Sequence, residues 1–371
     1  MAMKKNKPIL LLSSIFIIAI LASACGGGDS GPNVNGGNNP PTSGDLNPGL
    51  SGKLFFKTGH KGTIVSDGEE FSAWTMDIAT GKYARIPNTD WADHGDRFPG
   101  NWFICFVAPA GYDGTEFTVE IPDCKNYPDR TCIAIQDMDG NYLGQFEISG
   151  DEYSFAKMSQ DHQNIALANR KGFDSWLEIY DRNGTFLSSS KLKSRFIREL
   201  DWLPNGRIIY GIQRSFYFTA PYSTQAENIL TLPNDLQGEK IGEIAVSPDG
   251  ARLAFTVDGV PYIANIDGTL IRKLAVLTYA EADIDNIAWS PDAQWILLGT
   301  KEVYVVGGPG GLIRRHNYVI PSEDLGKVFT LSEDDDLRSP EVRLLLRHKD
   351  IKENTDSTVT DVGLVDVAWL S

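Results

Sequence analysis

The chain has 371 residues, of which 42% are hydrophobic, 10% aromatic and 22% charged, a composition typical of a folded globular protein. Its 49 Asp and Glu outnumber its 34 Lys and Arg, and the net charge of −15 excludes the broad basic face that a nucleic-acid partner requires. Four cysteines are too few for a disulfide-built scaffold, and the five histidines form no HxxxH or HExxH pair, which disfavours a zinc site.

Residues 1–24 have the pattern of a secretory signal peptide. Lys4, Lys5 and Lys7 precede an almost unbroken apolar run over residues 9–22. The run ends in Leu21-Ala22-Ser23-Ala24-Cys25, which resembles the lipobox of bacterial lipoproteins. The resemblance implies cleavage before Cys25 and attachment of lipid, palmitate included, to this cysteine. An ordinary secretory cleavage and an uncleaved anchor are the alternatives.

The predicted lipid anchor also indicates where in the cell the protein is located. Gly26 follows the cysteine, and by resemblance to enterobacterial sorting this favours the outer membrane, on its periplasmic or surface face, in a cell that has one. Residues 25–50 are rich in Gly, Asn, Pro and Ser and have too few apolar residues to order themselves. We therefore expect a lipidated cysteine followed by a flexible linker, with the folded domain at residues 51–371.

From Ser51 onward, short apolar runs alternate with Gly, Asn, Asp and Pro, which predicts an all-β fold without long helices. A turn motif recurs here every 43 to 44 residues. Ser-Pro-Asp-Gly is a sequence that type I turns favour. The copies are Met158-Ser159-Gln160-Asp161, Trp202-Leu203-Pro204-Asn205-Gly206, Val246-Ser247-Pro248-Asp249-Gly250 and Trp289-Ser290-Pro291-Asp292.

A second turn, marked by glycine, follows in each unit at Gly184, Gly268 and Gly310. Each unit therefore holds two hairpins, and four strands at this period predict the blade of a β-propeller. Residues 52–56 match the second strand of a blade, and residues 71–85 supply a third and a fourth. Residues 365–370 repeat the pattern of the inner strand at 285–290, so we predict that the C-terminal strand completes the N-terminal blade and removes two open sheet edges.

The number of blades is six or seven on sequence grounds. Six inner strands are recognisable, which favours six blades, whereas residues 321–362 are one period long and leave a degenerate seventh blade open. The six strands lie near Trp102, Phe155, Leu200, Ile244, Ile287 and Val367.

The repeat Ser-Pro-Asp-Gly-x-x-Leu-Ala-Phe at residues 247–255 resembles the WD-related repeats of TolB-type propellers, and the resemblance covers about residues 51–371. It implies a propeller scaffold and no particular activity, because one scaffold serves many functions. The chain leaves no room for the α/β domain that precedes the propeller in TolB, and the lipobox is foreign to TolB. We therefore expect a TolB-like propeller carried by a lipoprotein, not TolB itself.

Four inner strands carry a carboxylate or amide five residues before the turn proline or its equivalent. Strand alignment brings these residues to one level near the mouth of the central channel. Oxygen ligands suit Ca²⁺, so these residues are candidates for a ring that holds Ca²⁺ or a cationic group of a partner; the favoured interpretation is that they are solvated strand ends in a water-filled channel. The residues are Glu199, Glu243, Asn286 and Asp366.

The remaining motifs assign no catalytic residue. No GxSxG, P-loop or GxGxxG sequence is present, and Asp137-Met138-Asp139-Gly140-Asn141 is expected to be a hairpin turn because it lacks the glycine and glutamate offsets of a calcium loop. Aromatic residues of the long second unit are candidate anchors for a partner or, alternatively, packing of an irregular blade. The four aromatic residues are Trp91, Trp102, Tyr112 and Tyr127. The polar segment Asp93-His94-Gly95-Asp96 lies in the same unit.

Cys124 and Cys132 flank a polar loop and are candidates for a disulfide in an oxidising compartment. Cys105 lies in an apolar run and is expected to be buried and free, although a bridge from Cys105 to either partner stays open.

Two functions follow from these features. The favoured one is a non-enzymatic scaffold, held at the membrane by its N-terminal lipid, that binds an envelope protein or a saccharide. The alternative is a Ca²⁺-assisted hydrolase or lyase that uses the acidic ring.

Overall fold

The structure is a computed structural model of the chain. It describes residues 45–59, 71–89, 107–121, 132–148, 152–171, 174–192, 199–220, 223, 226–234, 236, 238, 240–278, 282–304, 312–323, 326–348, 358–359 and 365–371. These residues form 28 β-strands, and no helix in the described ranges is long and apolar enough to cross a membrane. The predicted signal peptide, Cys25 and most of the predicted linker lie outside the described residues.

Six four-stranded antiparallel sheets form the blades of a β-propeller. The first three blades, from the axis outward, are β28 (Val365–Leu370), β1 (Lys53–Gly59), β2 (Phe71–Asp77) and β3 (Tyr83–Arg85); β4 (Val107–Pro109), β5 (Glu116–Ile121), β6 (Cys132–Asp137) and β7 (Tyr142–Glu147); β8 (Glu152–Met158), β9 (Asn164–Lys171), β10 (Asp174–Asp181) and β11 (Phe186–Lys191). The next three are β12 (Leu200–Trp202), β13 (Ile208–Ile212), β14 (Ser215–Thr219) and β15 (Ala226–Thr231); β16 (Ile241–Val246), β17 (Arg252–Val257), β18 (Val260–Asn265) and β19 (Arg272–Lys273); β21 (Ala282–Trp289), β22 (Trp295–Tyr304), β23 (Leu312–Pro321) and β25 (Arg343–Leu344).

The ring closes as the sequence predicted. The C-terminal strand β28 is the innermost strand of blade 1 and pairs antiparallel with β1, with Leu54 opposite Trp369 and Phe55 opposite Ala368. This pairing removes the open edge of β1 in the described sheet, because an unpaired strand would expose its backbone donors and acceptors.

The alternative of a seventh blade at residues 321–362 is wrong. β24 (Phe329–Leu331) pairs in parallel with β20 (Ala275–Leu277), a strand that follows blade 5. β25 supplies the outermost strand of blade 6, and the short strands β26 (Arg347–His348) and β27 (Thr358–Val359) pair only with each other among the described strands. The segment therefore completes and braces the sixth blade.

Each of the six hydrophobic clusters in the described residues is shared between two neighbouring blades. The cluster between blades 5 and 6, for example, joins Ala254 and Ile263 of one blade to Ile287, Leu298 and Tyr318 of the next. The other five clusters join blades 6 and 1, 4 and 5, 1 and 2, 3 and 4, and 2 and 3. The apolar core thus lies at the blade interfaces.

Tryptophans two residues before the turn proline position fix neighbouring inner strands. Trp202 and Trp289 are 1% exposed, and each donates its indole N–H to the carbonyl of an inner-strand residue in the preceding blade. The acceptors are Lys157, at 2.8 Å, and Ala245, at 2.9 Å. Because a buried N–H needs a partner, these bonds set the height of one blade against the next.

The recurring inner turn forms the same hydrogen bonds in successive blades. In blade 5, the Ser247 hydroxyl donates to Asp249 at 2.5 Å and accepts the N–H of Arg252 at 2.9 Å, while the Gly250 N–H donates to the Ser247 carbonyl. Ser290 makes the equivalent bonds in blade 6. Local chemistry therefore builds this turn without help from the rest of the ring.

The outer turns of blades 2 and 3 pack against the preceding blade, and here glycine is required. Gly140 lies in the hairpin turn between β6 and β7 with φ of +79°, and a Cβ built on it would lie 1.7 Å from the Pro87 carbonyl oxygen of the preceding segment. In the same way, a Cβ built on Gly184 would lie 2.2 Å from the Cβ of Phe146 in blade 2. The turn at 137–141 is thus a hairpin, as predicted.

The folded part begins earlier than the composition indicated. Asn47 and Leu50, which the sequence assigned to the linker, are 5% and 4% exposed. The Asn47 amide donates to the carbonyls of Ile78 at 2.7 Å and Leu346 at 2.9 Å, and its oxygen accepts the Leu346 N–H. One short side chain thereby joins blade 1 to the segment that follows β25 in blade 6.

Gly140→Ala should destabilise the fold more than Gly206→Ala. Both glycines have nearly the same φ, +79° and +78°, so both variants bear the left-handed penalty of about 1–2 kcal/mol. Only Gly140→Ala also clashes with a neighbouring backbone, which adds about 1–3 kcal/mol, whereas Gly206 has no atom within 4 Å of the added Cβ. Denaturant unfolding measures both, and equal losses would contradict the predicted clash.

Trp289→Phe should cost about 1–3 kcal/mol more of the free energy of unfolding than Trp74→Phe. Both changes remove similar buried ring area, but only the first leaves a buried acceptor, the Ala245 carbonyl, without its donor. The buried Trp74 indole N–H has no hydrogen-bond partner within the described part of the chain, which makes it a matched control. Urea titration of both variants tests this, and a larger loss for Trp74→Phe would refute it.

Candidate functional site

A cavity of about 160 Å³ lies where the inner strands converge, and it is the candidate site. Inner strands of five blades line it, together with the turn between β4 and β5. Residues at the −3 position relative to the turn proline or its equivalent face this channel. They are mostly small, and the bulky −2 residues Trp202, Trp289 and Trp369 also contribute to the lining while they pack in the blade interfaces. The small residues are Ala245, Ala288 and Ala368.

The structure brings three of the four predicted ring residues to this cavity. Glu199, Glu243 and Asn286 line it, the two glutamates half-buried and Asn286 only 6% exposed. Asp366 lies in β28, next to the lining residue Val367, but its side chain lies outside the described residues. The three described positions therefore line one cavity, and their role in binding stays a prediction.

Asn286 makes specific hydrogen bonds inside the ring. Its amide nitrogen donates to Asp285 at 3.1 Å, and its oxygen accepts the N–H of Val367 from the neighbouring inner strand at 3.3 Å. This residue consequently links blade 6 to blade 1 while presenting its remaining surface to the cavity. Asp285, which also lines the cavity, adds a carboxylate that the sequence prediction did not include.

An ion pair deeper in the channel was missed by sequence reasoning. Lys157 Nζ lies 2.6 Å from Asp201 Oδ1, and both residues line the cavity. Asp201 also accepts the backbone N–H of Trp202 and, across the blade interface, that of Val246, each at 2.8 Å. A signal existed, since Lys157 and Asp201 are the two charged residues in an inner-strand column that is otherwise alanine.

Tyr112 lies across one end of the channel. It belongs to the turn between β4 and β5 of blade 2, yet its hydroxyl donates to the Val246 carbonyl of blade 5, on the opposite side of the ring, at 2.7 Å. Burial of the hydroxyl, followed by the charges of Asp201 and Asp249, raises the pKa of Tyr112 well above its usual range. The expectation that Tyr112 is an exposed anchor is wrong, because its ring and hydroxyl are committed to the channel end.

The acidic residues lie away from this closed end. Glu243 precedes Val246 by three residues on β16, a separation of about 10 Å along a strand. Glu199 and Glu243 are partly exposed, so the channel meets solvent on their side. The site is therefore a blind acidic pocket: Tyr112 forms its floor, and carboxylates line the half nearer its mouth.

Metal binding stays a prediction. Among the described side chains, no group of three or more His, Cys, Asp or Glu residues is arranged to hold a metal ion. The carboxylates of the pocket instead take part in hydrogen bonds and ion pairs with protein groups, as Asp201 and Asp285 illustrate. The Ca²⁺ ring depends on the Asp366 side chain, which is outside the described residues.

Cys132 is disulfide-bonded and 2% exposed. Its predicted partner Cys124 lies outside the described residues, so the pairing itself stays a prediction. Further residues or segments that the sequence singled out also lie outside them: Cys25, Trp91, the segment 93–96, Trp102, Cys105, Tyr127 and Gly310.

Solved structures share this architecture. The chain is similar to TolB from Acinetobacter baumannii with a TM-score of 0.50 and 11% identity, over 86% of this chain and 66% of that chain. It is similar to a putative TolB from Agrobacterium tumefaciens, with a TM-score of 0.45 and 12% identity over 80% and 89% of the two chains. For the β-propeller domain of Cps50 (Swd1) from Myceliophteria thermophila, the values are 0.43 and 10%, over 74% and 84%.

These likenesses concern the fold alone, because identities of 10–12% carry no function. No family model and no curated protein matches the sequence. The chain spans just under two thirds of the length of the Acinetobacter TolB. The TolB-like propeller that the repeat predicted is confirmed.

Proposed function

We propose that this chain, a TolB-like β-propeller, is an envelope lipoprotein that binds a partner protein without catalysis. Lipid on Cys25 anchors it, and the blind acidic pocket receives a cationic side chain of the partner. The observation that carries the binding role is the pocket itself, whose described lining includes the carboxylates of Glu199, Glu243 and Asp285 and the ion pair between Lys157 and Asp201.

The size and charge of the pocket select the partner group. A cavity of about 160 Å³ holds a single lysine-like side chain and excludes a folded segment. In a partly enclosed pocket, a cation gains more from nearby carboxylates than it does in open water, because the effective dielectric constant is lower. A cationic protein group is thus favoured over the neutral saccharide that the sequence also allowed.

Butylammonium, an analogue of the lysine side chain, should bind in the pocket more tightly than butanol of the same shape. The indole N–H groups of Trp202 and Trp289 belong to lining residues and serve as NMR reporters. Glu243→Gln should weaken butylammonium binding by about tenfold, which corresponds to ~1.4 kcal/mol for one charge pair.

Glu227→Gln is the matched control for this titration. Glu227 carries the same charge but lies on the outer strand β15 beside Arg207, with a side chain 69% exposed. Its removal should leave the butylammonium affinity unchanged. Equal affinity for butanol and butylammonium, or equal effects of the two Gln variants, would overturn the assignment of the pocket as a cation site.

The anchor is tested separately. We expect the full-length chain, expressed in a bacterium with a lipoprotein pathway, to partition with membranes and to carry acyl chains on an N-terminal Cys25. Cys25→Ser should abolish both properties, since the thiol is the site of lipid attachment. Mass spectrometry of the N-terminal peptide measures this, and an unmodified Cys25 in the wild-type chain would refute the lipid anchor.

A further inference from the structure

The turn that carries Tyr112 connects the closed end of the channel to several blades. Besides the Tyr112 bond to Val246, the Ser371 N–H donates to the Tyr112 carbonyl at 2.8 Å. A Cβ on Gly111 would contact Gln160 of blade 3, and one on Gly114 would contact Leu370 of blade 1. Residues 110–115 thus form a plug that blade 2 inserts over the axis. We call this segment the plug.

The charged contacts of the plug centre on one histidine. His162 Nε2 lies 3.2 Å from Asp113 Oδ2 in the plug, and Nδ1 lies 3.3 Å from Glu116 Oε2 at the start of β5. Arg182 of blade 3 approaches the same Glu116 at 3.1 Å. The His162 side chain is 14% exposed, so water screens these contacts only in part.

His162 stands at a turn position where the other described blades with this turn have a small residue. It occupies the left-handed position of the inner turn in blade 3, with φ of +60°, where blades 4 and 5 have Gly206 and Gly250 and blade 6 has Ala293 with φ of +58°. A side chain at this position is strained, so the backbone alone favours glycine. At this position the imidazole contacts the carboxylates of the plug and of β5.

The number of N–H donors that the ring offers to the two carboxylates depends on its protonation state. A neutral imidazole has one N–H donor and one lone pair, whereas the imidazolium has two donors. With a carboxylate oxygen facing each nitrogen, the neutral ring satisfies one and repels the other. Histidine is the side chain whose charge changes between about pH 5 and 8.

From this geometry we propose that His162 is a proton-sensitive clamp on the plug, tight when the imidazole is charged and loosened when it is neutral. The groups that face it are Asp113 and Glu116 from blade 2 and Arg182 from the outer turn of blade 3. Asp161 in its own turn is held by Ser159 and the Gln163 N–H. Loosening the plug frees Tyr112 and opens the second end of the pocket.

The clamp regulates the same pocket as the proposed function and in that sense rests on it. A blind pocket admits one side chain, whereas a pocket open at both ends admits an extended peptide that passes through the axis. The sign follows from the charges: the imidazolium donates to both carboxylates, whereas the neutral ring donates to one and faces the other with a lone pair.

Hydrogen exchange followed by mass spectrometry tests the clamp without any ligand. After correction for intrinsic exchange rates, we expect the backbone amides of residues 110–116 and of Ser371 to be about twofold to fivefold better protected at pH 5.5 than at pH 8, the effect of one partly exposed ion pair. Amides of the inner turn at 247–252 provide the internal reference. A pH-independent plug in the wild-type chain overturns the proposal.

Two variants separate the clamp from general stability. His162→Gly removes the imidazole and relieves the backbone strain, so the chain should fold and the plug should exchange at the same rate at both pH values. Asp113→Asn should also flatten the response while leaving His162 and Glu116 in place. A pH response that survives in His162→Gly would overturn the proposal. Failure of butylammonium binding would leave these exchange rates untouched, so the two proposals fail separately.

Discussion

The structure depends on the sharing of every hydrophobic cluster by two neighbouring blades. Burial of apolar surface is the dominant favourable term in folding, and in the described residues it occurs only where one blade meets the next. A single blade is a four-stranded sheet with two apolar faces and has no core of its own. Stability therefore belongs to the closed ring, and the indole bonds of Trp202 and Trp289 fix how each blade is seated on its neighbour.

The same alternation that builds the interfaces also makes the pocket. Side chains point to opposite faces of a strand in turn, so Trp289 packs between blades 5 and 6 while its neighbour Ala288 packs between blades 6 and 1. Where the inner strands meet the axis, the small −3 residues leave room, and the charged ones, Lys157 and Asp201, give that room its electrostatic character. Asp201 belongs to both systems, because it lines the pocket and also accepts the Val246 N–H across the blade interface.

The sequence allowed the fold to be predicted where the information is local or periodic. The inner turns, the glycine turns and the strand register within a unit depend on neighbouring residues, and Glu199, Glu243 and Asn286 followed from aligning those units. Pairings between distant segments were not accessible: β24 joins β20 from more than fifty residues away, and Tyr112 reaches Val246 across the ring. A Tyr in a loop carries no local signal that its hydroxyl will meet a carbonyl in another blade.

Closure by the final strand sets the order of events during biogenesis. β28 comprises residues 365–370, so its partner strand β1 must wait until the chain has been synthesised through Leu370, about three hundred residues later. Until then, one edge of β1 and the apolar surfaces destined for blades 1 and 6 are exposed, a state in which chains associate wrongly. A chain that stops before Val365 retains blades 2 to 6 and the strands β1 to β3 of blade 1, but it cannot close the ring.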